Sequence, residues 1–454
     1  MADATQRIDA FIDQNLDSSI AETIRLCAQP SVSARGEGVA ECAGLVAELM
    51  RGHGLQVQVI PTRGNPVVVG HADGESPRTL LLYNHYDVQP PEPLELWTTP
   101  PFQPTIRDGN LYARGVADDK GELVSRLAAI DAVRAAHGGM LPCGVTLVAE
   151  GEEEIGSVHI VPFVQENLAL LESQGAIWEV GGVNPDGRPA LPLGVRGVLS
   201  VELRVQTMTM DAHSGSAHVL PNAAWRLLWA LASLRGSDER IRIPGFYDRA
   251  MPPSELDLQL LERLPDDEPM VRELYGVKTF VRGLSGRQLS YAVYEPTCNI
   301  GGLTAGYQGP GIKTVIPAQA SAKLDMRLVP GQDPDDIYAK LCHHLVGQGF
   351  ADVEVTRLGS MGPAKTPADA PLVQLTVQTA QEVYGQPTEI SPLEGGSSPI
   401  YAFAGPLGNI PVVFAGVGYW GCRGHAPDEH IRLEDYRLGI RHVARILDGF
   451  AGLG

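Results

Sequence analysis

The sequence has little positive charge for its length. Its 454 residues include 35 Lys and Arg against 54 Asp and Glu, so the formal net charge is −19. A protein that neutralises nucleic-acid phosphates or anionic lipid headgroups needs the opposite balance. Partners of both kinds, nucleic acid and membrane surfaces, are therefore disfavoured.

Paired cysteines, an export signal and long apolar runs are also missing. The six cysteines lie far apart without a Cys-x-x-Cys spacing, which is typical of buried thiols in a reducing compartment and not of a disulfide framework. The chain does not open with a basic segment followed by an apolar stretch. No continuous apolar run approaches the roughly 18 residues of a membrane span. We expect a soluble, cytoplasmic protein.

Two common catalytic motifs are absent. The sequence contains neither a Gly-x-Ser-x-Gly nucleophile elbow nor a His-Glu-x-x-His zinc motif. The sequence therefore does not match the serine hydrolases that carry this elbow or the metalloproteases that carry this zinc motif. Any catalytic chemistry must come from a different arrangement of residues.

Two kinds of hydrophobic pattern divide the chain. Short, nearly all-apolar runs such as Leu80–Tyr83 and Gly144–Ala149 are typical of strands buried on both faces. In the middle, 199–206 and 322–328 alternate apolar and polar residues, as antiparallel strands with one wet face do. We predict an α/β domain, with a mixed, mostly parallel sheet flanked by helices, interrupted by an α+β domain with an antiparallel sheet. The predicted segments are 1–196, 197–364 and 365–454.

Helices are predicted where apolar residues recur at helical spacing. They cover most of the first 60 residues, Lys120–Ala136 between two buried strands, and Asn222–Arg235 in the inserted domain. His343 and His344 lie in another helical stretch and match no ligand motif. We expect both at the surface.

Acids and histidines follow the predicted buried strands. His85 and Asp87 come directly after Leu80–Tyr83. Residues i and i+2 of an extended chain face the same way, so Asp87 can accept a hydrogen bond from one nitrogen of His85 and leave the other for a metal ion. Taken alone, the pair fits an ordinary polar loop equally well.

Four further segments share this placement. They contain Asp118 before a helix, Glu153 and Glu154 in an acidic run, Glu179 after an apolar stretch, and His425 late in the chain. Singly, they also fit helix caps or solvated loops. Together with His85 they supply two histidines and several acids at the carboxyl edge of one sheet, where open α/β sheets bind their ligands. Two divalent cations bridged by a carboxylate would need such a set, with one carboxylate left over as a base.

The order of these motifs resembles the M20 family of dinuclear zinc peptidases and deacylases. The matching segments are HYDV, ARGVADDKG, EGEEEIGS, an acid near 179 and a late Gly-His. The resemblance covers nearly the whole chain and is greatest to the carnosinase-type and nonspecific dipeptidases. It implies that Asp118 bridges two metal ions, with His85 and Glu179 on one ion and Glu154 and His425 on the other.

The resemblance also implies roles around the metal ions. Glu153 would be the general base for a hydroxide bridging the two ions, and Asp87 the partner of His85. The peptide bond between Asp118 and Asp119 would be cis. Glu179 departs from the dipeptidase branch, which usually has Asp at this position, and its additional methylene group would shift the metal ion slightly.

In the inserted domain, the resemblance implies that His213 reaches across a dimer to the partner's active site and stabilises the oxyanion of the tetrahedral intermediate. Thr314 and Arg327 would hold the substrate carboxylate, and Arg327 suits bidentate binding. Gly396 and Ser397, in the returning segment, would form a substrate loop.

The implied function is metal-dependent hydrolysis of dipeptides that carry a free C-terminal carboxylate. The cofactors would be two divalent ions, zinc first, with manganese or cobalt as alternatives. The partners would be a small peptide substrate and a second copy of the chain, bound through the inserted lid domain. Two alternatives stay open: an N-acyl-amino-acid deacylase on the same scaffold, and a binding protein that keeps the fold without catalysis.

Overall fold

The computed structural model describes residues 4–453, which divide into two compact units. Unit 1 contains the described parts of 1–193, 366–391 and 402–454, and unit 2 contains 194–365 and 392–401. The segment Pro392–Tyr401, predicted within the 365–454 segment, groups with unit 2.

Helices lie along the whole described chain. In chain order the α-helices are α1 Ala4–Ala28, α2 Val39–Gly52, α3 Lys120–Ala136, α4 Ile160–Glu166, α5 Ala223–Leu234, α6 Glu255–Leu261, α7 Glu268–Tyr275, α8 Arg287–Tyr291, α9 Pro334–Gly347, α10 Pro371–Tyr384, α11 Ile400–Ala404 and α12 Leu433–Phe450.

The strands are numbered in the same way. They are β1 Gln56–Ile60, β2 Val67–Ala72, β3 Gly74–His85, β4 Thr105–Arg107, β5 Asn110–Tyr112, β6 Leu141–Glu150, β7 Gly175–Trp178, β8 Gly182–Val183, β9 Pro189–Pro192, β10 Gly194–Val195, β11 Gly197–Gln206, β12 Ala212–His213, β13 Asn299–Ala305, β14 Val315–Ile316, β15 Gln319–Leu328, β16 Glu354–Met361, β17 Ala364–Lys365, β18 Glu389–Ser391, β19 Val412–Phe414, β20 Gly418–Tyr419 and β21 His430–Arg432.

A six-stranded mixed sheet forms the centre of unit 1. Its order is β1-β2-β6-β3-β7-β19. The pairs β1/β2 and β2/β6 are antiparallel, whereas β6/β3, β3/β7 and β7/β19 are parallel. The all-apolar runs occupy the interior strands: Leu80, Leu82 and Leu147 are fully buried. This confirms the predicted α/β architecture.

Helices α1, α3, α10 and α12 pack together in unit 1. Leu123, Leu127 and Ile130 recur at helical spacing along α3 and are completely buried. Burying each such side chain stabilises the fold by about 1.5–3 kcal/mol. The predicted strand–helix–strand arrangement is confirmed, because α3 lies between the parallel strands β3 and β6 in the chain.

Unit 2 is built on a four-stranded antiparallel sheet in the order β13-β15-β11-β16. On β11, Leu199, Val201 and Leu203 are buried while the residues between them are at least partly exposed. The buried face joins a core cluster with residues of α5 and α9. The predicted one-sided sheet is therefore confirmed. Helix α5 begins one residue after Asn222, whose side chain accepts the N–H of Ala224 at 2.8 Å.

Some expectations about single residues were wrong. His343 is exposed, as expected, but His344 is buried beside the core residues Leu341 and Leu345, and its Nε2 lies 3.0 Å from the carbonyl oxygen of Ser233. All six cysteines are free, but Cys342 and Cys422 are only partly buried. Within residues 4–453, none of the helices combines the length and apolar character that a bilayer crossing requires.

Candidate metal centre

The predicted ligands collect where the central strands of unit 1 end. His85 is the last residue of β3, Glu154 lies four residues beyond β6, and Glu179 directly follows β7. Asp118 lies in the loop before α3, and His425 follows β20. Parallel strands place their carboxyl ends on the same edge, so residues far apart in sequence converge there.

Asp118 lies between the two histidines. Its Oδ1 is 2.9 Å from Nε2 of His85, and its Oδ2 is 2.9 Å from Nε2 of His425. Nε2 of His425 is also 3.2 Å from Oε2 of Glu154. On the other side, Nε2 of His85 is 3.9 Å from Oε2 of Glu179. One carboxylate thus connects two groups of donors.

These donors suit divalent cations. Two clusters among the described residues keep their donor atoms within 4.8 Å of one another: His85 with Asp118 and Glu154, and His85 with Asp119 and Glu179. Imidazole nitrogen and carboxylate oxygen are ligands of zinc, and cobalt and manganese accept similar sets. Both clusters contain His85, so together they mark the surroundings of one ion; the contacts of His425 with Asp118 and Glu154, at 2.9 and 3.2 Å, supply donors for a second ion. The peptide bond between Asp118 and Asp119 is cis, as the resemblance implied.

Protonation in this cluster follows from burial and charge. The pKa of Glu153 is raised to about 7, chiefly by burial; the nearby His85 lowers it, and the neighbouring carboxylates of Glu154 and Asp118 raise it. Burial also disfavours the charged form of Asp118, but its hydrogen bonds to His425 and His85 outweigh that effect and lower its pKa. The cluster concentrates acids that a cation would stabilise in their charged forms.

Asp87 contacts both sides of the site. Nδ1 of His85 is 3.0 Å from the carbonyl oxygen of Asp87 and 3.4 Å from its carboxylate, so the carbonyl is the nearer acceptor. The Asp87 carboxylate accepts the backbone N–H groups of Glu153 and Glu154, at 3.2 and 3.1 Å. Asp87 thus orients the acidic turn as well as His85.

The acidic run after β6 separates into side chains with different partners. Glu150 accepts hydrogen bonds from the hydroxyls of Tyr83 and Ser157. Glu152 pairs with Nδ1 of His159 at 2.7 Å. Hydrogen bonds and an ion pair therefore account for the carboxylates of Glu150 and Glu152, which leaves Glu153 and Glu154 to face the cluster.

Several polar side chains around the site were not predicted. Gln89 donates from its amide to Oε2 of Glu154 at 2.8 Å and from its backbone N–H to Oε1 at 3.1 Å. Arg126 of α3 donates to Oδ1 of Asn84 at 2.9 Å, and Asn84 donates to Oδ2 of Asp119 at 2.6 Å. A usable signal existed on α3, because Asp119, Glu122 and Arg126 follow helical spacing on a helix predicted between buried strands.

The predicted substrate residues of unit 2 form two local groups. The exposed His213 pairs with Val315 in the β12/β14 ladder, next to Thr314. In the other group, Nη1 of Arg327 donates to Oγ of Ser397 at 2.7 Å. The carbonyl of Gly396 accepts the backbone N–H of Arg196 at 2.9 Å.

Comparison with known proteins assigns the family. The family model described as peptidase family M20/M25/M40 matches residues 81–449, which include all five predicted ligands. The chain belongs to this family. This assignment agrees with the mixed sheet and the shared-carboxylate site.

Three relatives show how far the similarity extends. The Beta-Ala-His dipeptidase of Rattus norvegicus is 31% identical over 294 residues, 63% of this chain and 59% of that protein. The Cys-Gly metallodipeptidase of Saccharomyces cerevisiae is 26% identical over 414 residues, 86% of this chain and 83% of that protein. The solved structure of an M20 family metallo-carboxypeptidase from Sulfolobus solfataricus is 35% identical with a TM-score of 0.89, and covers 96% of this chain and 99% of that one. The chain spans less than six-tenths of the length of the Beta-Ala-His dipeptidases that it matches.

Proposed function

We propose that this protein is a metal-dependent peptidase that hydrolyses dipeptides with a free C-terminal carboxylate. The observation that carries the proposal is the Asp118 carboxylate, whose two oxygens each lie 2.9 Å from a different histidine. Membership of a peptidase family and the names of the two dipeptidase relatives support it.

In this proposal His85 and Glu179 would hold one divalent cation, Glu154 and His425 would hold the other, and Asp118 would contribute to both. Zinc is the first choice for the nitrogen and oxygen donors, with manganese and cobalt as alternatives. When bound, the two cations would supply Lewis acidity, lowering the pKa of a water between them and polarising the scissile carbonyl.

The protein's own residues would then move the proton and hold the substrate. Glu153 accepts a proton from the attacking water and passes it to the leaving nitrogen. Arg327 binds the substrate carboxylate, and its hydrogen bond to Ser397 connects it to the loop containing Gly396. Thr314 would add a further contact to the carboxylate.

We propose a homodimer formed through unit 2, in which His213 donates to the substrate oxyanion in the partner's site. Support comes from the exposed apolar side chains of α5. Trp225 and Trp229 are each 57% exposed and stack with ring centroids 6.0 Å apart, and Leu228 between them is 41% exposed. Exposed apolar groups of this kind mark interaction surfaces. The cytoplasmic location remains a prediction that rests on the unpaired cysteines.

One observation favours a second candidate. The metallo-carboxypeptidase from Sulfolobus solfataricus matches nearly the whole of both chains. A carboxypeptidase and a dipeptidase both cut the peptide bond that precedes a residue with a free carboxylate. They differ in that a dipeptidase needs a free amine on the residue before that bond, whereas a carboxypeptidase does not. The N-acyl-amino-acid deacylase is not favoured, since all three relatives are named as peptidases.

A substrate panel tests the proposal. Purified protein with added Zn²⁺, Mn²⁺ or Co²⁺ would be given a dipeptide, its N-acetylated form, a tripeptide and an N-acetyl amino acid. A dipeptidase cleaves the first substrate much faster than the others. Comparable rates on the dipeptide, tripeptide and N-acetylated dipeptide would identify a carboxypeptidase. Cleavage of the N-acetyl amino acid alone would contradict both.

A further inference from the structure

Glu429 is a completely buried carboxylate four residues after the proposed ligand His425. Its Oε1 accepts the backbone N–H groups of Ala117 and Asp118 at 2.9 and 3.1 Å. Its Oε2 accepts Nη1 of Arg114 at 2.6 Å and the N–H of Gly115 at 3.0 Å. One side chain thus satisfies four donors in the loop 114–118.

The loop 114–118 and the segment that contains Glu429 supply different ligands. Asp118, at the end of the loop, places one carboxylate oxygen against each histidine. Glu429 holds the backbone N–H of Asp118 and lies on the same segment as His425. Glu429 therefore connects Asp118, the proposed ligand of both ions, to the segment of His425, the proposed ligand of one ion.

The segment around His425 needs such an anchor. Arg423, His425 and Asp428 all have positive φ, at 58°, 62° and 59°. Residues with a Cβ populate this region sparsely, so the surrounding structure must hold them in it. Asp428 accepts the N–H of Thr98 at 2.9 Å, and Glu429 provides the second anchor.

The sequence separation makes this role specific. Arg114 and Glu429 are 315 positions apart, so no local turn creates their contact. Arg114 is 1% exposed, and Glu429 is its ion-pair partner among the described residues. The other three donors to Glu429 are backbone N–H groups of the loop, so its carboxylate fixes the path of the loop backbone as well as neutralising Arg114.

We infer that Glu429 is a positioning residue that sets the distance between the loop of Asp118 and the segment of His425, and so determines the affinity of the metal pair. This inference rests on the dinuclear centre of the proposed function. Groups that orient metal ligands typically change metal affinity by about 10- to 100-fold when they are replaced.

The test compares two variants that break the same ion pair in different ways. Glu429→Gln replaces an acceptor oxygen with an amide that cannot accept two N–H groups. Arg114→Met removes the cation but leaves Glu429 its three backbone donors. Metal-free full-length protein would be titrated with Zn²⁺ against a chromophoric chelator, and the absorption spectrum of the Co²⁺ form would be recorded.

We expect Glu429→Gln to lower the affinity for at least one ion by about 10- to 100-fold and to change the Co²⁺ spectrum. Arg114→Met should stay within about threefold of the wild type, even though both variants lose thermal stability. A Glu429→Gln protein with two wild-type affinities, or an Arg114→Met protein that loses as much affinity, would overturn the inference.

Two further arms complete the experiment. If Glu429→Gln does not fold, the double variant with Arg114→Met removes both buried charges, and its affinity is compared with that of Arg114→Met alone. If the wild type binds fewer than two ions, the proposed metal centre itself is wrong. If the wild type binds two ions and the variants bind them with unchanged affinity, only the role of Glu429 is contradicted.

Discussion

Asp87 and Glu153 are joined through the backbone: Oδ1 of the Asp87 carboxylate lies 3.2 Å from the N–H nitrogen of Glu153. Asp87 is completely buried and also receives the N–H of Glu154. Glu153, the proposed base, and Glu154, a proposed metal ligand, therefore lie on one turn whose backbone Asp87 holds. Their relative positions depend on a residue that itself contacts His85.

Glu153→Gln tests the proposed base. The amide has the same shape but cannot accept a proton from water, so kcat should fall by about 10²–10⁴-fold. Metal content, measured by elemental analysis, should not change. Glu166→Gln, at an exposed position on α4, serves as the control and should keep full activity. A Glu153→Gln enzyme with near-normal kcat and bound metal would contradict the mechanism.

Removal of the metal ions should lower thermal stability as well as activity. Without cations, the carboxylates of Asp118, Glu153, Glu154 and Glu179 remain close together and buried or half-buried. An ion present at 100 times its Kd stabilises the folded state by about 2.7 kcal/mol, which corresponds to several degrees in Tm. Chelation should therefore lower the Tm, and added Zn²⁺ should restore it. A Tm that chelation does not change would argue against a metal centre.

Arg327→Lys tests recognition of the substrate carboxylate. Lysine keeps the charge but loses the planar, bidentate geometry. Hydrogen bonds to charged groups are worth about 1.5–3 kcal/mol, so KM should rise about 10- to 100-fold for a dipeptide with a free carboxylate. A C-terminally amidated dipeptide should be affected little. Arg357→Lys, on the edge strand β16, is the matched control. If Arg327→Lys raised KM equally for the free and the amidated dipeptide, the proposed contact with the carboxylate would be excluded.

His442 should make stability depend on pH. It is buried on α12, where Nε2 donates to the carbonyl of Thr376 at 3.1 Å, and burial lowers its pKa to about 4. An unfolded histidine has a pKa of about 6.5. The stability that the neutral ring provides is thus fully present above about pH 6.5 and is lost as the pH falls toward 4.

The measurement is urea unfolding of the wild type and His442→Gln from pH 4.5 to 8. Their difference in unfolding free energy should be constant above neutral pH and should shift against the wild type below about pH 6.5. A difference that does not change with pH would show that His442 is not held neutral.

Two glycines should respond oppositely to alanine. A Cβ at Gly416 would lie 2.2 Å from Oε1 of the completely buried Glu122, so Gly416→Ala should cost about 1–3 kcal/mol, as overpacking does. At Gly44, within α2, a Cβ would meet nothing within 4 Å. Gly44→Ala should stabilise the protein by about 0.8–1 kcal/mol because alanine favours the helix. Equal unfolding free energies for the two variants would contradict this reading.

Candidate ligands could be named from the sequence because each follows a local pattern, while their assignment to two metal ions came from the family resemblance and stays a prediction. An apolar strand followed by a histidine or an acid, as at His85 and Glu154, is visible in a few consecutive residues. The alternation of apolar and polar residues along β11 is equally local, and it predicted which face of the strand is buried. Such patterns depend on neighbours in sequence, which the strand period relates directly to space.

The supporting residues could not be predicted because their partners are distant. Gln89 is 65 positions from Glu154, and Arg114 is 315 positions from Glu429. Which polar groups meet depends on the order of strands in the sheet, and hydrophobic periodicity carries no information on that order. The burial of His344 was missed for the same reason, since Ser233, whose carbonyl it contacts, lies on another helix.

The divided chain of unit 1 has a consequence for biosynthesis. Strand β19, which completes the six-stranded sheet, and His425 leave the ribosome only after all of residues 194–365. At about 5–20 residues per second, roughly 17 to 68 seconds pass between the appearance of His85 and that of His425. During this interval the nascent chain holds an unfinished sheet edge at β7 and an incomplete ligand set. On the proposed function, activity would begin only when synthesis is nearly complete, and a fragment released early would lack His425.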